Sequence, residues 1–425
     1  MRITSIFNKQ NTPLISIIAW CLYDWACSSF SIIVTTFIFA TYFTTKVADN
    51  EIIGTFQWAN ATSLAGILIA IGSPIFGAIA DRSGHHKRWL FVFTWICILS
   101  AAMLWFAYPS HHFAHFTLMW VVIGTIGLEI AVVFYNAFLP KLAPREYTGR
   151  ISGWGWGSGY LGGIVALSVA LLVFIKGNIP WLNTHTAEQI RICGPFVAIW
   201  YALFSLPLFY FVPAVSSSSC SMWIAIRAGL RELALTLKKL PQEKNILLYL
   251  FSHMIYADGL NTLFAFGGIY AAGTYGLSFE QVLLFGISMN VTAGVGAILL
   301  SWMDDYLGSK ITIIVSLIFL IIFGLPIIFL HNKTIFWLFA LLLCIFIGPV
   351  QSASRSLMVH LIADKESAAE MFGLYALSGK VTAFIGPWLL GWITLLFGSQ
   401  RFGMATVLVF FSIGAILLLP VRILK

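Results

Sequence analysis

Of the 425 residues, 60% are apolar and only 9% are charged, the mean hydropathy is +0.91, and the formal net charge is +8. A soluble domain carries about 25% charged residues, so a soluble enzyme, a secreted disulfide scaffold and a disordered chain are all excluded. An all-α polytopic membrane protein fits, and its basic excess then belongs to loops under the positive-inside rule rather than to nucleic acid.

Apolar runs predict twelve transmembrane helices in two pseudo-symmetric six-helix bundles. The first six are Leu14–Phe43, Ile53–Ala80, Trp89–Tyr108, Phe113–Leu139, Ile151–Ile175 and Ile192–Val212. The second six are Ile246–Ala272, Phe279–Met303, Ile311–Leu330, Thr334–Ser354, Ala369–Phe397 and Phe402–Pro420. The first run is too long for a signal-peptide core and has no small-residue cleavage site after it, so it is expected to remain as a span. Residues 1–212 form the first bundle, 213–244 a linker and 245–425 the second bundle. In the linker, Ser216–Ser219 precede an apolar series with helical spacing, Trp223, Ile226, Leu230, Leu233 and Leu237, interspersed with Arg227, Arg231, Lys238 and Lys239. That pattern predicts an amphipathic helix on the membrane interface.

Of the Lys and Arg residues, eighteen fall on the side of the termini, five on the opposite side, and Lys380 inside a span. The bias predicts cytoplasmic termini, and the short ends favour a bacterial inner membrane. The six cysteines form no CxxC pair and are read as small buried apolar side chains. His111, His112 and His115 cluster in an outer loop, but without an accompanying glutamate or cysteine they read as solvated rather than as a metal pair. No metal site, cofactor, ATP motif or nucleophile–base set is expected, and hence no enzyme.

The two bundles echo one another. The first helix carries Tyr23-Asp24 and the seventh carries Tyr256-Ala257-Asp258. The loop after the second helix holds Gly77, Asp81, Arg82, Gly84, Lys87 and Arg88, and the loop after the eighth holds Asp305, Gly308 and Lys310. Similar halves around a central site are the build of many secondary transporters.

The Gly77-x-x-x-Asp81-Arg82-x-Gly84-x-x-Lys87-Arg88 stretch resembles the loop motif of the major facilitator superfamily. The resemblance implies a cytoplasmic gate in which the acid and the bases contact neighbouring helix ends. Three further stretches, Trp20–Phe30, Phe134–Pro140 with Gly149–Gly153, and Phe372–Lys380, resemble the branch containing the vacuolar amino-acid effluxer of autophagy and its bacterial relatives. That resemblance implies transport and, more weakly, an amino-acid substrate. Cys27 stands where the branch usually has Asn.

Charges inside a bilayer cost at least about 2.5–3.5 kcal/mol each and are functional candidates by default. Asp24, Asp258 and Glu129 are the candidate proton-coupling residues, and all three, with Lys380, lie about 15–24 Å along their helices at 1.5 Å per residue. Polar stripes run with them: Asp24, Ser28, Ser31 and Thr35; Asp258 and Asn261; Glu129 and Asn136; Tyr375, Ser378 and Thr382. Candidate cavity residues are therefore Tyr23, Ser28, Asn136, Trp156, Tyr160, Tyr256, Asn261, Tyr375, Ser378 and Lys380. Interhelical hydrogen bonding explains the same polar residues without a site. The glycines Gly153, Gly155, Gly157, Gly159, Gly162 and Gly163 predict close packing of the fifth helix.

The function expected is secondary active transport of a small organic solute by alternating access, proton-coupled, in a monomer with lipid, solute and protons as partners. An exporter of drugs or siderophore-like compounds, and a membrane sensor built on a transporter fold, are the alternatives.

Overall fold

In the computed structural model, residues 14–177, 179–213, 222–277, 279–362 and 367–422 are described, and among them the chain is helical with no strand. The serines Ser216–Ser219, with Cys220, lie outside the described residues. The spanning helices are α1 (Leu14–Val47), α2 (Glu51–Ser83), α3 (His86–Met103), α4 (Ala114–Ala137), α5 (Thr148–Val169) and α6 (Cys193–Phe211). After the linker helix (Met222–Lys239) come α7 (Lys244–Tyr275), α8 (Phe279–Leu299, continued by Ser301–Leu307), α9 (Ser309–Phe329) and α10 (Lys333–Leu361). The last two are α11, in two pieces (Ala368–Lys380 and Ile385–Phe397), and α12 (Gln400–Leu418). Eleven spans among the described residues are long and apolar enough to cross a bilayer. The helix α7 has ample length, but His253, Asp258 and Asn261 dilute its apolar character.

In lipid every backbone group must be satisfied within the segment, so departures from regular helix are informative. In α1 the runs Ser31–Phe37 and Phe43–Val47 widen to π-helix. There the hydroxyls of Thr35 and Thr36 donate to the Ser31 carbonyl at 2.6 and 2.9 Å, an acceptor the ladder then has to share.

The larger departure is in α11, which the hydropathy pattern takes as one continuous helix. Regular bonding stops at Lys380, resumes at Ile385, and is bridged by a turn in which Ile385 N–H donates to Thr382 O at 2.7 Å. Pro387, the third residue of the second piece, has no N–H and its ring would strike the carbonyl one turn back. In the first turn of a fresh helix proline meets neither penalty.

The chain divides into two compact units. The first holds Met1–Gly72, Ser83–Tyr135 and Ser158–Ser219; the second holds Ser73–Arg82, Asn136–Gly157 and Cys220–Lys425. The C-terminal end of α2 and the hairpin joining α4 to α5 thus belong with α7–α12.

In the second unit the predicted linker helix forms, and it packs on protein as well as presenting an apolar face. Leu233 joins Ala78, Leu250 and Leu374 in one apolar cluster. A Cβ on Gly229 would lie 2.9 Å from the backbone of Ala78 and Ile79. Trp223 remains 80% exposed, as a lipid-facing residue would.

Candidate functional site

The loop motif builds a junction within the second unit. Asp81, near the end of α2, accepts hydrogen bonds from the N–H groups of Ala369 (3.2 Å) and Glu370 (2.7 Å) in the first turn of α11. These N–H groups have no intrahelical partner and sit at the positive end of the helix dipole, where a carboxylate is stabilised. Gly77 lies against the same turn: a Cβ there would be 2.3 Å from Ala369 O. Gly84, just past the end of α2, takes φ +66°, a left-handed turn that admits glycine without strain. Arg82 pairs with Glu232 of the linker helix at 2.5 Å.

The weaker sequence copy builds the same junction in the other direction. Asp305, near the end of α8, accepts from Arg150 N–H in the first turn of α5 at 3.0 Å. It also meets the Arg150 side chain, with Nε 3.0 Å from Oδ2. Gly308 again takes a positive φ, +86°. The packing repeats too. A Cβ on Gly373 of α11 would lie 2.6 Å from Ser73 O, and one on Gly153 of α5 would lie 2.5 Å from Ala297 O. Ser73 and Ala297 each precede the capping acid by eight residues. An acid from the first six helices therefore caps α11, and an acid from the last six caps α5.

Lys87 sits elsewhere, in the first unit, where its Nζ donates to Val212 O at the end of α6 (2.6 Å). Lys310 does the same for Leu419 O at the end of α12 (2.6 Å). A second pair of fasteners is also repeated. Arg191 Nε, ahead of α6, donates to Trp105 O at the end of α3, and Arg401 of α12 donates to Ile328 and Leu330 O at the end of α9. Arg88 is exposed, and its backbone N–H donates to His85 O at 2.9 Å.

In the first unit, Asp24 is half-buried and accepts from Tyr135 OH at 2.8 Å. The ring of Tyr135 stacks between Trp20 (4.5 Å) and Tyr23 (5.0 Å). The hydroxyl of Tyr23 is engaged with Thr94 and Tyr201, at 2.6 and 2.8 Å. Ser28 donates to Asp24 O at 2.8 Å, a bond internal to α1. Gly159, Gly162 and Gly163 of α5 lie on Ser28, Trp25 and Ile32 of α1, while Gly153 and Gly157 lie on α8, so the glycine run of α5 serves close packing on two faces. Tyr160 is buried on α5 and Glu129 is half-buried on α4.

In the second unit, Asn136 and Trp156 gather around a buried cation near the C-terminal end of α10. Arg355 of α10 is only 3% exposed. It donates to Ser152 Oγ (2.9 Å), Ser152 O (2.6 Å) and Asn136 Oδ1 (3.3 Å), with its guanidinium 5.7 Å from the Trp156 ring centre. Asp258 of α7 is 2% exposed. One of its oxygens accepts Gly386 N–H, at the start of the second piece of α11, at 3.0 Å, and the other makes no hydrogen bond. Asn261 is exposed, so the stripe expected to join it to Asp258 is divided between two environments.

Beside these, Tyr249, His253 and Tyr256 of α7 face Ser354 of α10 and Tyr375 and Ser378 of α11. Tyr249 donates to Ser354 O, Tyr256 bonds Ser354 Oγ at 2.7 Å, and His253 Nδ1 bonds Ser378 Oγ at 2.7 Å. Lys380, half-buried, is the last residue before the break. Among the described residues no group of three His, Cys, Asp or Glu is placed to hold a metal ion.

Reciprocally capped helix starts, paired fasteners and a twelve-helix chain define a transporter of the major facilitator superfamily, an integral membrane protein whose fold implies a bilayer and a small-molecule substrate. The chain belongs to the family described as vacuole effluxer Atg22 like, which it matches over residues 58–425. It is 27% identical to the uncharacterized MFS-type transporter YxiO of Bacillus subtilis, over 97% of this chain and 94% of that one. It is 24% identical to autophagy-related protein 22 of Cryptococcus neoformans, over 68% of this chain and 54% of that longer one. Among solved structures it resembles the proton:xylose symporter XylE, with a TM-score of 0.76 at 15% identity over 99% and 97% of the two chains. It also resembles the transporter FucP in its outward conformation, with a TM-score of 0.74 at 13% identity over 96% and 98%.

Proposed function

We propose that the protein is a proton-coupled secondary transporter that moves a small organic solute of the amino-acid class by alternating access. It would work as a monomer in a bacterial inner membrane with both termini in the cytoplasm. The observation that carries the mechanism is the reciprocal capping by Asp81 and Asp305. Each bond links one six-helix half to the other, so opening that side requires both to break, and closing it re-forms preorganised bonds. The amino-acid class is supported by kinship with the effluxer family, and the bacterial setting by the similarity to YxiO.

Asp24 is the coupling residue in this scheme. It is half-buried and accepts a hydrogen bond from the hydroxyl of Tyr135, and an ionisable side chain inside a span is a functional candidate by default. Asp258 serves the scaffold of α11 instead, and Glu129 is the reserve. The test is pH-gradient-driven uptake beside equilibrium exchange of radiolabelled L-amino acids in proteoliposomes. Asp24→Asn keeps the volume and can still accept from Tyr135, but cannot titrate. Accumulation should vanish while exchange persists. Wild-type accumulation by Asp24→Asn would refute the assignment, and loss of both activities would make Asp24 a binding or structural residue.

A further inference from the structure

The polar cluster of α7, α10 and α11 contains a histidine that the coupling scheme leaves unused, and its hydrogen bonds fix the chemistry of the ring. Ser378 has one hydroxyl proton, so its 2.7 Å contacts to Tyr375 O and to His253 Nδ1 are both hydrogen bonds only when that proton goes to Tyr375 O and Nδ1 carries the ring proton. A buried imidazolium would need a compensating charge. The ionisable groups near this cluster on the elements packed together are Tyr249, Tyr256 and Asp258 on α7, Arg355 and His360 on α10, and Glu370, Tyr375 and Lys380 on α11. Of the two carboxylates among them, Asp258 accepts Gly386 N–H and Glu370 lies in the first turn of α11 at the Asp81 junction. His253 is therefore the neutral Nδ1–H tautomer, and Nε2 presents a lone pair.

The surrounding hydroxyls cannot fill that lone pair. Tyr249 donates to Ser354 O. Ser354 donates to Val350 O, which leaves its oxygen to accept from Tyr256. Tyr375 stacks over the face of the imidazole, with centroids 4.1 Å apart and planes 27° apart, whereas the lone pair lies in the ring plane. The Cε1 atom, next to Nε2, is 3.4 Å from where a Cβ on Gly379 would be, and Gly379 is half-buried with no side chain to cover the edge. Among the described residues the hydrogen bond of the His253 ring is the one at Nδ1, which leaves Nε2 open to a donor.

We infer that His253 Nε2 is a solute-binding acceptor that takes a hydrogen bond from an N–H or O–H donor of the transported molecule, with Ser378 holding the ring in the receptive tautomer. This deepens the transport function proposed above by naming a contact in the second unit. An ammonium group or a hydroxyl fits the lone pair, whereas a carboxylate does not, because two acceptors would face each other.

Three measurements on the full-length protein test this. In selectively labelled protein, the 15N shifts of His253, assigned by its loss in His253→Asn, should show a pyrrole-like Nδ1 and a pyridine-like Nε2. Diethyl pyrocarbonate should modify His253 at Nε2 in detergent. In proteoliposomes, counterflow of radiolabelled L-amino acids should fall at least tenfold in His253→Asn, whose amide can still donate to Ser378 but leaves nothing at Nε2. It should stay within about threefold in His253→Gln, whose amide oxygen reaches the Nε2 position. A proton on Nε2, or no modification there while His111 and His185 react, overturns the inference, as does wild-type counterflow by His253→Asn. If wild-type protein transports no amino acid, the substrate class proposed above is wrong, and the spectroscopic and labelling results still decide His253.

Discussion

The two capped junctions share one geometry and differ in one residue. At α5 the third helical position is Arg150, which pairs with the capping acid Asp305, with side chains only 12% and 4% exposed. At α11 that position is Glu370, a buried acid whose N–H meets Asp81 and whose Oε1 makes no hydrogen bond. The base of that junction, Arg82, comes instead from α2 and points to the linker helix in an exposed pair. The α5 junction is therefore a buried ion pair with a cap, and the α11 junction a cap with like charges close together. Removing one partner of a buried pair strands a charge, whereas an exposed pair is worth little. The α5 junction should act as the firm one and the α11 junction as the one that yields first.

Substitutions can break that ranking. Asp305→Ala leaves Arg150 buried and unpaired, at about 3–5 kcal/mol. It should lower the midpoint of thermal unfolding in detergent more than any other change at either junction. Gly373→Val forces a branched side chain into the Ser73–Pro74 backbone and should cost about 1–3 kcal/mol by overpacking. A cysteine placed at Ala369 should then label faster with maleimide than in the wild-type background. Asp81→Asn keeps an acceptor but surrenders the charge at the helix start, about 1 kcal/mol. Exchange in proteoliposomes should fall several-fold with only a small drop in the unfolding midpoint. Arg82→Ala should move transport by less than a factor of about five, in keeping with at most about 1 kcal/mol for an exposed pair. If Arg82→Ala proves more damaging than Asp305→Ala, the order of strength is reversed and the linker helix holds the stronger junction.

Much of this was legible in the residues. Acid, glycine and base recur after the second and eighth helices because a capping carboxylate, a left-handed turn and a helix-end fastener each demand a particular side chain. What hid were contacts whose partners lie far apart in the chain. His253 is one histidine in an apolar run, and its meaning comes from Ser378 and Tyr375 on another helix. Arg355 lies near the end of α10 and so counts with the loop cations, until Ser152 and Asn136 enclose it. Asn136 and Trp156, picked for a cavity, are drawn into that enclosure. The break in α11 did leave a trace, since Gly386-Pro387 is a helix-start signature, but the unbroken hydropathy of the run concealed it. Gly386 is also where a Cβ would fall 2.1 Å from Thr262 Oγ1.

The repeated fasteners carry a consequence for how the molecule tolerates change. Lys87, Lys310, Arg191 and Arg401 are anchored on backbone carbonyls, acceptors that every residue supplies. The caps at α5 and α11 depend on the carboxylates of Asp305 and Asp81, which a single substitution removes. The ties that keep α3 with α6 and α9 with α12 therefore survive any change of side chain on their acceptor side, whereas the joints that have to open are each exposed to the loss of one acid.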